Sequence, residues 1–255
     1  MTTLSVAVKG LSFTIVNFRC SFRKKRGGEN MFIGHFAPAM VAATHPRAPG
    51  LGTLFVAGQL LDFGFFGLAL AGVENFRITP GITRMVPLDL YDMPYTHSLL
   101  GSTLLAAAFA LLIWLFTRNR TGALIGGAVV LSHWFLDLLV HAPDLTLAGS
   151  PPKFGFGLWN YPMIEMPLEI GITFGALAFY VIRTRAISSQ SKYAIGLLAV
   201  LLLAFQSVNW FGPEPQSADM AMKLTGLLAF AVAACAAWWA GRTRIVQQPR
   251  GRTII

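Results

Sequence analysis

The sequence predicts an all-α fold, a polytopic transmembrane helix bundle of about six spans plus a short N-terminal partial-span helix. Three observations carry that expectation. Of 255 residues, 55% are hydrophobic and only 12% are charged, whereas an ordinary soluble domain is about 25% charged. The apolar residues fall into runs of roughly 20, the length a helix needs to cross a bilayer core. Basic residues collect in alternate connections between those runs, as membrane orientation requires. A mean hydropathy of +0.59 excludes a disordered chain. Two cysteines, Cys20 and Cys235, exclude a disulfide scaffold.

Taken in order, residues 1–30 form a basic extension with the run Arg23, Lys24, Lys25, Arg26. No nucleic-acid-binding module accompanies it, so it reads as a solvated or lipid-facing tail and no nucleic-acid partner is expected. The stretch 11–18 is too short to span. It also precedes the basic cluster, the reverse of a secretory signal. If 31–46 runs from outside to inside, Arg23–Arg26 lies outside, against the orientation rule. Either the working protein begins at Met31 and 1–30 is a misassigned extension, or 31–46 is re-entrant or interfacial. The first is preferred.

The segment 31–46 is short and broken by Pro38. Segments 51–73, 98–117, 122–141, 193–211 and 222–240 are clear spans. Segment 164–182 opens with Glu165 and Glu169 and is apolar afterwards. Gly122 and Gly126, like Gly171 and Gly175, have the spacing that lets helices approach closely. Arg47, Arg118, Arg120, Arg183, Arg185, Lys192, Arg242, Arg244, Arg250 and Arg252 fall on one side. Loops 74–97, 142–163 and 212–221 hold Arg77, Arg84 and Lys153. The excess places the first set, and the C-terminus, in the cytoplasm of a bacterial-type inner membrane. Trp114, Trp238 and Trp239 fall near the inner interface and Trp210 near the outer one.

Ionisable groups within spans are costly and are therefore candidates for function. Here they are His35, Asp62, Asp89, Asp92, His97, His133, Asp137, His141, Asp144, Glu165 and Glu169. In S-H-W-F-L-D-L-L-V-H, residues 132–141, His133, Asp137 and His141 recur every fourth residue and share a helix face. Histidine with carboxylate suits zinc, with manganese as a second choice. A buried His133–Asp137 hydrogen bond is the plainer reading of the same spacing. In D-L-Y-D-M-P-Y-T-H-S-L-L, residues 89–100, helix capping accounts for Asp92, Thr96 and Ser98 but not for His97. Asp62 sits near the centre of an apolar run and needs a partner. His35, Asp62 and His133 each lie about 13.5 residues from the inner turns, roughly 20 Å at helical rise. Asp137 is about one turn higher, and His97 and His141 are near the outer rim. Two adjacent hairpins could therefore gather His35, Asp62, His133 and Asp137, with His97 and His141 above. An uncoordinated Asp62 or Asp92 could act as general base. Glu165 and Glu169 could add ligands, but an acidic helix N-terminus is the preferred account.

The order G-H at 34–35, Asp62, T-H-S at 96–98 and S-H-x-x-x-D at 132–137 resembles the LexA-binding family of inner-membrane-associated, metal-dependent hydrolases. The likeness covers roughly 31–145, which separates that stretch from 146–255, the C-terminal helices and basic tail. It departs in two places. Phe63 and Gly64 follow Asp62 where the family has His-Pro, and Asp92 replaces the first histidine of its H-R-x-x-T-H-S. The His-x-x-x-Asp spacing is more distantly similar to zinc phospholipase C and P1 nuclease. The resemblance implies a metal site on His35, Asp62, His97, His133 and Asp137, with His141 as an extra ligand. It also implies hydrolysis of a small-molecule or lipid-like phosphoester near the outer leaflet. A transporter using the same groups as an ion or proton path, and a non-catalytic membrane scaffold, are the alternatives.

Overall fold

A computed structural model describes residues 33–247, together with the backbone of two paired antiparallel strands, β1 (Ser5–Val8) and β2 (Leu11–Thr14). The basic run at 23–26 and the question of the start site lie outside the described residues.

The chain enters through a 3-10 turn, Ile33–Phe36, that leads directly into α1 (Ala37–Ala42). Pro38 is accommodated because the first helical turn has no amide bond for it to break. Together these ten residues are apolar but too short to span. Segment 51–73, expected as one span, is instead two helices, α2 (Leu51–Gly58) and α3 (Leu60–Leu70), bent by 53°. Gln59 leaves helical geometry between them, at φ −112° and ψ 14°. A Cβ on Gly58 would stand 2.7 Å from the His35 carbonyl oxygen, so glycine is what lets the 3-10 turn reach this break.

The antiparallel ribbon β3 (Asn75–Ile78) and β4 (Leu88–Asp92) follows. α4 (Leu99–Thr117) and α5 (Arg120–Val140) then form a tight hairpin. Ser98 and Asn119 cap them by accepting from the amides of Gly101 and Gly122. A short ribbon, β5 (Leu145–Thr146) with β6 (Lys153–Phe154), leads to α6 (Pro162–Arg183). β7 (Thr184–Ala186), α7 (Ser191–Phe211), α8 (Met220–Arg242) and β8 (Arg244–Val246) complete the described chain, with β7 paired to β8. The expected all-α fold thus gains two-stranded ribbons in its connections, where backbone groups outside the helices need partners.

Among the described residues five helices, α4 to α8, are long and apolar enough to cross a membrane, six if α2 and α3 count as one broken span. Leu104, Phe116, Leu124, Val200 and Leu228 lie exposed along them. So much exposed apolar surface fits lipid and not water. α5 is the most buried of the five at 44% and α4 the least at 11%, so α5 is the central post.

The basic connections gather at one end. Asn119 Nδ2 donates to the Arg47 carbonyl at 2.7 Å, tying the α4–α5 turn to the α1–α2 turn. A Cβ on Gly241 would meet Leu51, and one on Gly52 would meet the Trp238 backbone at 2.7 Å, so the start of α2 lies against the end of α8. Arg244 donates to the Val181 and Thr184 carbonyls and to Ser191 Oγ, joining the tail to the α6–α7 connection. Of the glycine pairs expected to pack helices, a Cβ on Gly122 or Gly126 would indeed collide, with the Arg47 carbonyl and the Phe109 ring. Gly171 and Gly175 face open space instead and line a groove against α1.

Candidate metal centre

α5 supplies His133 and Asp137 from one face, and His141 caps its C-terminus. His35 comes from the 3-10 turn and Asp62 from the first turn of α3. His97 directly precedes the Ser98 cap of α4. Trp134 Nε1 donates to the His97 carbonyl at 3.1 Å, which fixes that turn against α5. The break at Gln59 aims α3 so that Asp62 reaches the same point. All six sequence candidates for metal ligation therefore meet in one cluster.

The ring nitrogens and carboxylate oxygens converge closely. Asp137 Oδ1 lies 3.0 Å from His35 Nε2 and 3.3 Å from His141 Nε2. Its Oδ2 lies 3.2 Å from His133 Nε2 and 3.5 Å from His97 Nε2. Asp62 Oδ1 lies 3.4 Å from His97 Nε2 and 3.6 Å from His133 Nε2. Two donors on one tetrahedral zinc, each about 2.0–2.1 Å from it, stand about 3.3–3.4 Å apart. These separations straddle that value. Two triads, His35–His133–Asp137 and Asp62–His97–His133, each have all donor atoms within 4.8 Å of one another.

Hydrogen bonding on the far side of each ring decides what the near side offers. His133 Nδ1 is 2.7 Å from the Gly58 carbonyl, which can only accept, so Nδ1 carries the proton. That carbonyl is free because the helix breaks there. Thr96 Oγ1 donates to Glu74 Oε2 at 2.6 Å and so accepts from His97 Nδ1 at 2.8 Å. His141 Nδ1 donates to Asp144 Oδ1 at 2.8 Å. In each neutral ring Nε2 is then a lone pair facing a carboxylate oxygen. Acceptor against acceptor is repulsive unless a proton or a metal ion lies between them. His35 Nε2, His133 Nε2 and Asp137 Oδ2 are buried with no hydrogen-bond partner. Such atoms cost free energy unless a cation satisfies them. An imidazole anchored through Nδ1 to a carbonyl or carboxylate is the usual outer support of a metal-bound histidine. The residues present thus fit a divalent ion.

His141 lies just past the end of α5. Burial lowers its pKa, but the Asp144 and Asp137 carboxylates outweigh that and push it up to about 10, so without an ion the ring holds a second proton, which a metal would displace from Nε2. The same carboxylates would draw a metal cation.

A cavity of about 50 Å³ opens onto the cluster. Phe65, Phe66, Phe230, Trp159 and the ribbon residues Leu88 and Leu90 wall it, so the polar groups sit in a largely dry surround. The Asp62 side chain is the most open of the six, at 21%.

The other candidates are placed elsewhere. Asp92 accepts from Asn75 Nδ2 at 2.9 Å across the β3–β4 ribbon and joins neither triad. Asp89 holds Arg77 on the same ribbon. Glu165 lies in the first turn of α6, the acidic helix N-terminus expected, with Glu169 one turn further on, and both are buried. Glu169 accepts from the Gly34 amide at 3.2 Å and from Gln206 Nε2 at 2.6 Å. It therefore steadies the turn that carries His35. Glu74 and Gly58 were not among the sequence candidates, yet they anchor the rings of His97 and His133. Glu74 is fully buried and also accepts from the Tyr95 and Thr96 amides. No signal marked Glu74 beyond its being an acid at the start of the loop 74–97, just after a span.

No family model, curated protein or solved structure matches this chain. What the centre does is therefore argued from its own residues.

Proposed function

We propose that this protein is a membrane-embedded, metal-dependent hydrolase that acts on a phosphoester or lipid-linked substrate near the outer leaflet. The observation that carries the reading is the set of three Nδ1-anchored imidazoles whose Nε2 lone pairs face buried carboxylates. His35, Asp62, His97, His133, Asp137 and His141 would hold the metal, with zinc preferred and manganese second. The ion would supply Lewis-acid polarisation and a more acidic water. Asp62, open to the cavity, would face the ion with Oδ1 and accept the proton from the attacking water through its other oxygen. The aromatic walls would exclude bulk water.

An apolar groove of about 870 Å³ between α3 and α4 supports a substrate with an acyl or prenyl chain. Phe63 and Thr96, the chain neighbours of Asp62 and His97, lie along it. The basic end of the bundle would face the cytoplasm with the C-terminus, which puts the centre in the outer half of an inner membrane.

The test is a panel of phosphorylated lipids in proteoliposomes, with product release compared between wild type and Asp62→Asn. The reading expects turnover in wild type, at least 100-fold less in Asp62→Asn, and loss with a chelator. Turnover that chelators leave unchanged would contradict it.

One observation favours an ion or proton path as a second reading. Neither oxygen of buried Glu165 meets a donor, and Thr173 Oγ1, two helical turns further along α6, is also unpartnered. Proton uptake into liposomes that depends on Glu165 would support that reading.

A further inference from the structure

We infer that the centre is binuclear, with two divalent ions bridged by the two oxygens of Asp137. The inference rests on the metal-centre reading above and goes beyond it in number and arrangement.

The rings of His35 and His133 are stacked, with centroids 3.8 Å apart and planes only 8° from parallel. A metal binds an imidazole along the nitrogen lone pair, which lies in the ring plane. An ion about 2 Å from one Nε2 and in its plane therefore stands well out of the plane of the other ring. One ion cannot be well coordinated by both. The two rings also face different oxygens of the same carboxylate. His35 Nε2 is 3.0 Å from Asp137 Oδ1, and His133 Nε2 is 3.2 Å from Oδ2.

The remaining ligands divide the same way. His141 joins His35 on the Oδ1 side, and His97 joins His133 on the Oδ2 side, where Asp62 faces both rings. One position is thus built from His97, His133, Asp62 and Asp137 Oδ2. The other is built from His35, His141 and Asp137 Oδ1, with coordination left open for water or substrate. Ions of a two-metal hydrolytic site lie about 3.5–4 Å apart, and the ring stack is spaced at 3.8 Å. Asp137 is 1% exposed, and its Oδ2 has no hydrogen bond from the chain. Oδ2 is thus available to one ion, and Oδ1 faces the His35 and His141 nitrogens that would hold the other.

The test is metal stoichiometry together with electron paramagnetic resonance on purified protein loaded with manganese(II). Wild type should bind two equivalents per chain and give the exchange-coupled spectrum of a manganese pair. His141→Ala should bind one equivalent and give an uncoupled spectrum, and His97→Ala should do the same from the other position. Size exclusion reports whether each variant is folded. The wild-type coupled spectrum stands independently of them. One equivalent in wild type, with no coupling, would overturn the binuclear arrangement and leave the metal-centre reading intact. No bound manganese or zinc in wild type would overturn both.

Discussion

At the scale of single residues, His133 and Asp137 do most to define the centre. They were legible because spacing by four places two side chains on one helix face whatever the tertiary fold. His97 was legible because capping explains its neighbours and leaves the histidine over. Glu74 was not legible: it reaches Thr96, and through it His97, across 22 residues of sequence, and only folding of the β3–β4 ribbon brings them together. Asp92, a candidate general base beside T-H-S, is instead engaged by Asn75 across the ribbon. The relay from Glu74 through Thr96 to His97 gives a direct prediction. Thr96→Val removes the acceptor for His97 Nδ1 and frees the ring to turn. Metal affinity, read by competition with a chromogenic chelator, should fall by about 10–100-fold. An unchanged affinity would show that Thr96 does not orient the ring.

At the scale of elements, the break between α2 and α3 matters most. The run 51–73 is apolar throughout, so its hydropathy reads as one span and hides the bend. The bend serves the site twice, freeing the Gly58 carbonyl for His133 and tilting Asp62 inward. Gly58→Ala would place a methyl 2.7 Å from the backbone oxygen of His35. Backbone cannot step aside as a flexible side chain can, so the expected cost is about 1–3 kcal/mol. That should appear as a lower thermal midpoint in detergent together with weaker metal binding. Gly171→Ala is the control, since a Cβ there meets nothing within 4 Å, and its midpoint should match wild type. Equal midpoints for all three proteins would remove the close approach from the account. The short ribbons escaped the sequence reading because two- to five-residue strands between apolar runs leave almost no periodic signal.

At the scale of the whole molecule, the apolar runs gave the long helices α4 to α8 to within a few residues, since length and composition alone define them. The charge asymmetry correctly grouped the basic connections, which the Arg47–Asn119 and β7–β8 contacts gather at one end. The same asymmetry is the ground for proposing that this end faces the cytoplasm. Single cysteines in a Cys20→Ala/Cys235→Ala background test it by labelling of intact cells. A cysteine at Asn119 should be protected from an impermeant maleimide and one at Ser150 should react; the reverse pattern would invert the orientation. The packing that draws six polar groups from four separate segments to one point could not be read from any run of the sequence. It depends on α5 standing centrally, with the 3-10 turn, α3 and the start of α4 around its C-terminal half.

The most direct test of the central claim is the metal content of detergent-purified protein, by mass spectrometry, for wild type beside His133→Ala/Asp137→Ala, both shown to be monodisperse. The account predicts stoichiometric zinc or manganese in wild type and its loss in the double variant. Wild type that binds no divalent ion after reconstitution, or a double variant that keeps a full complement, would contradict it.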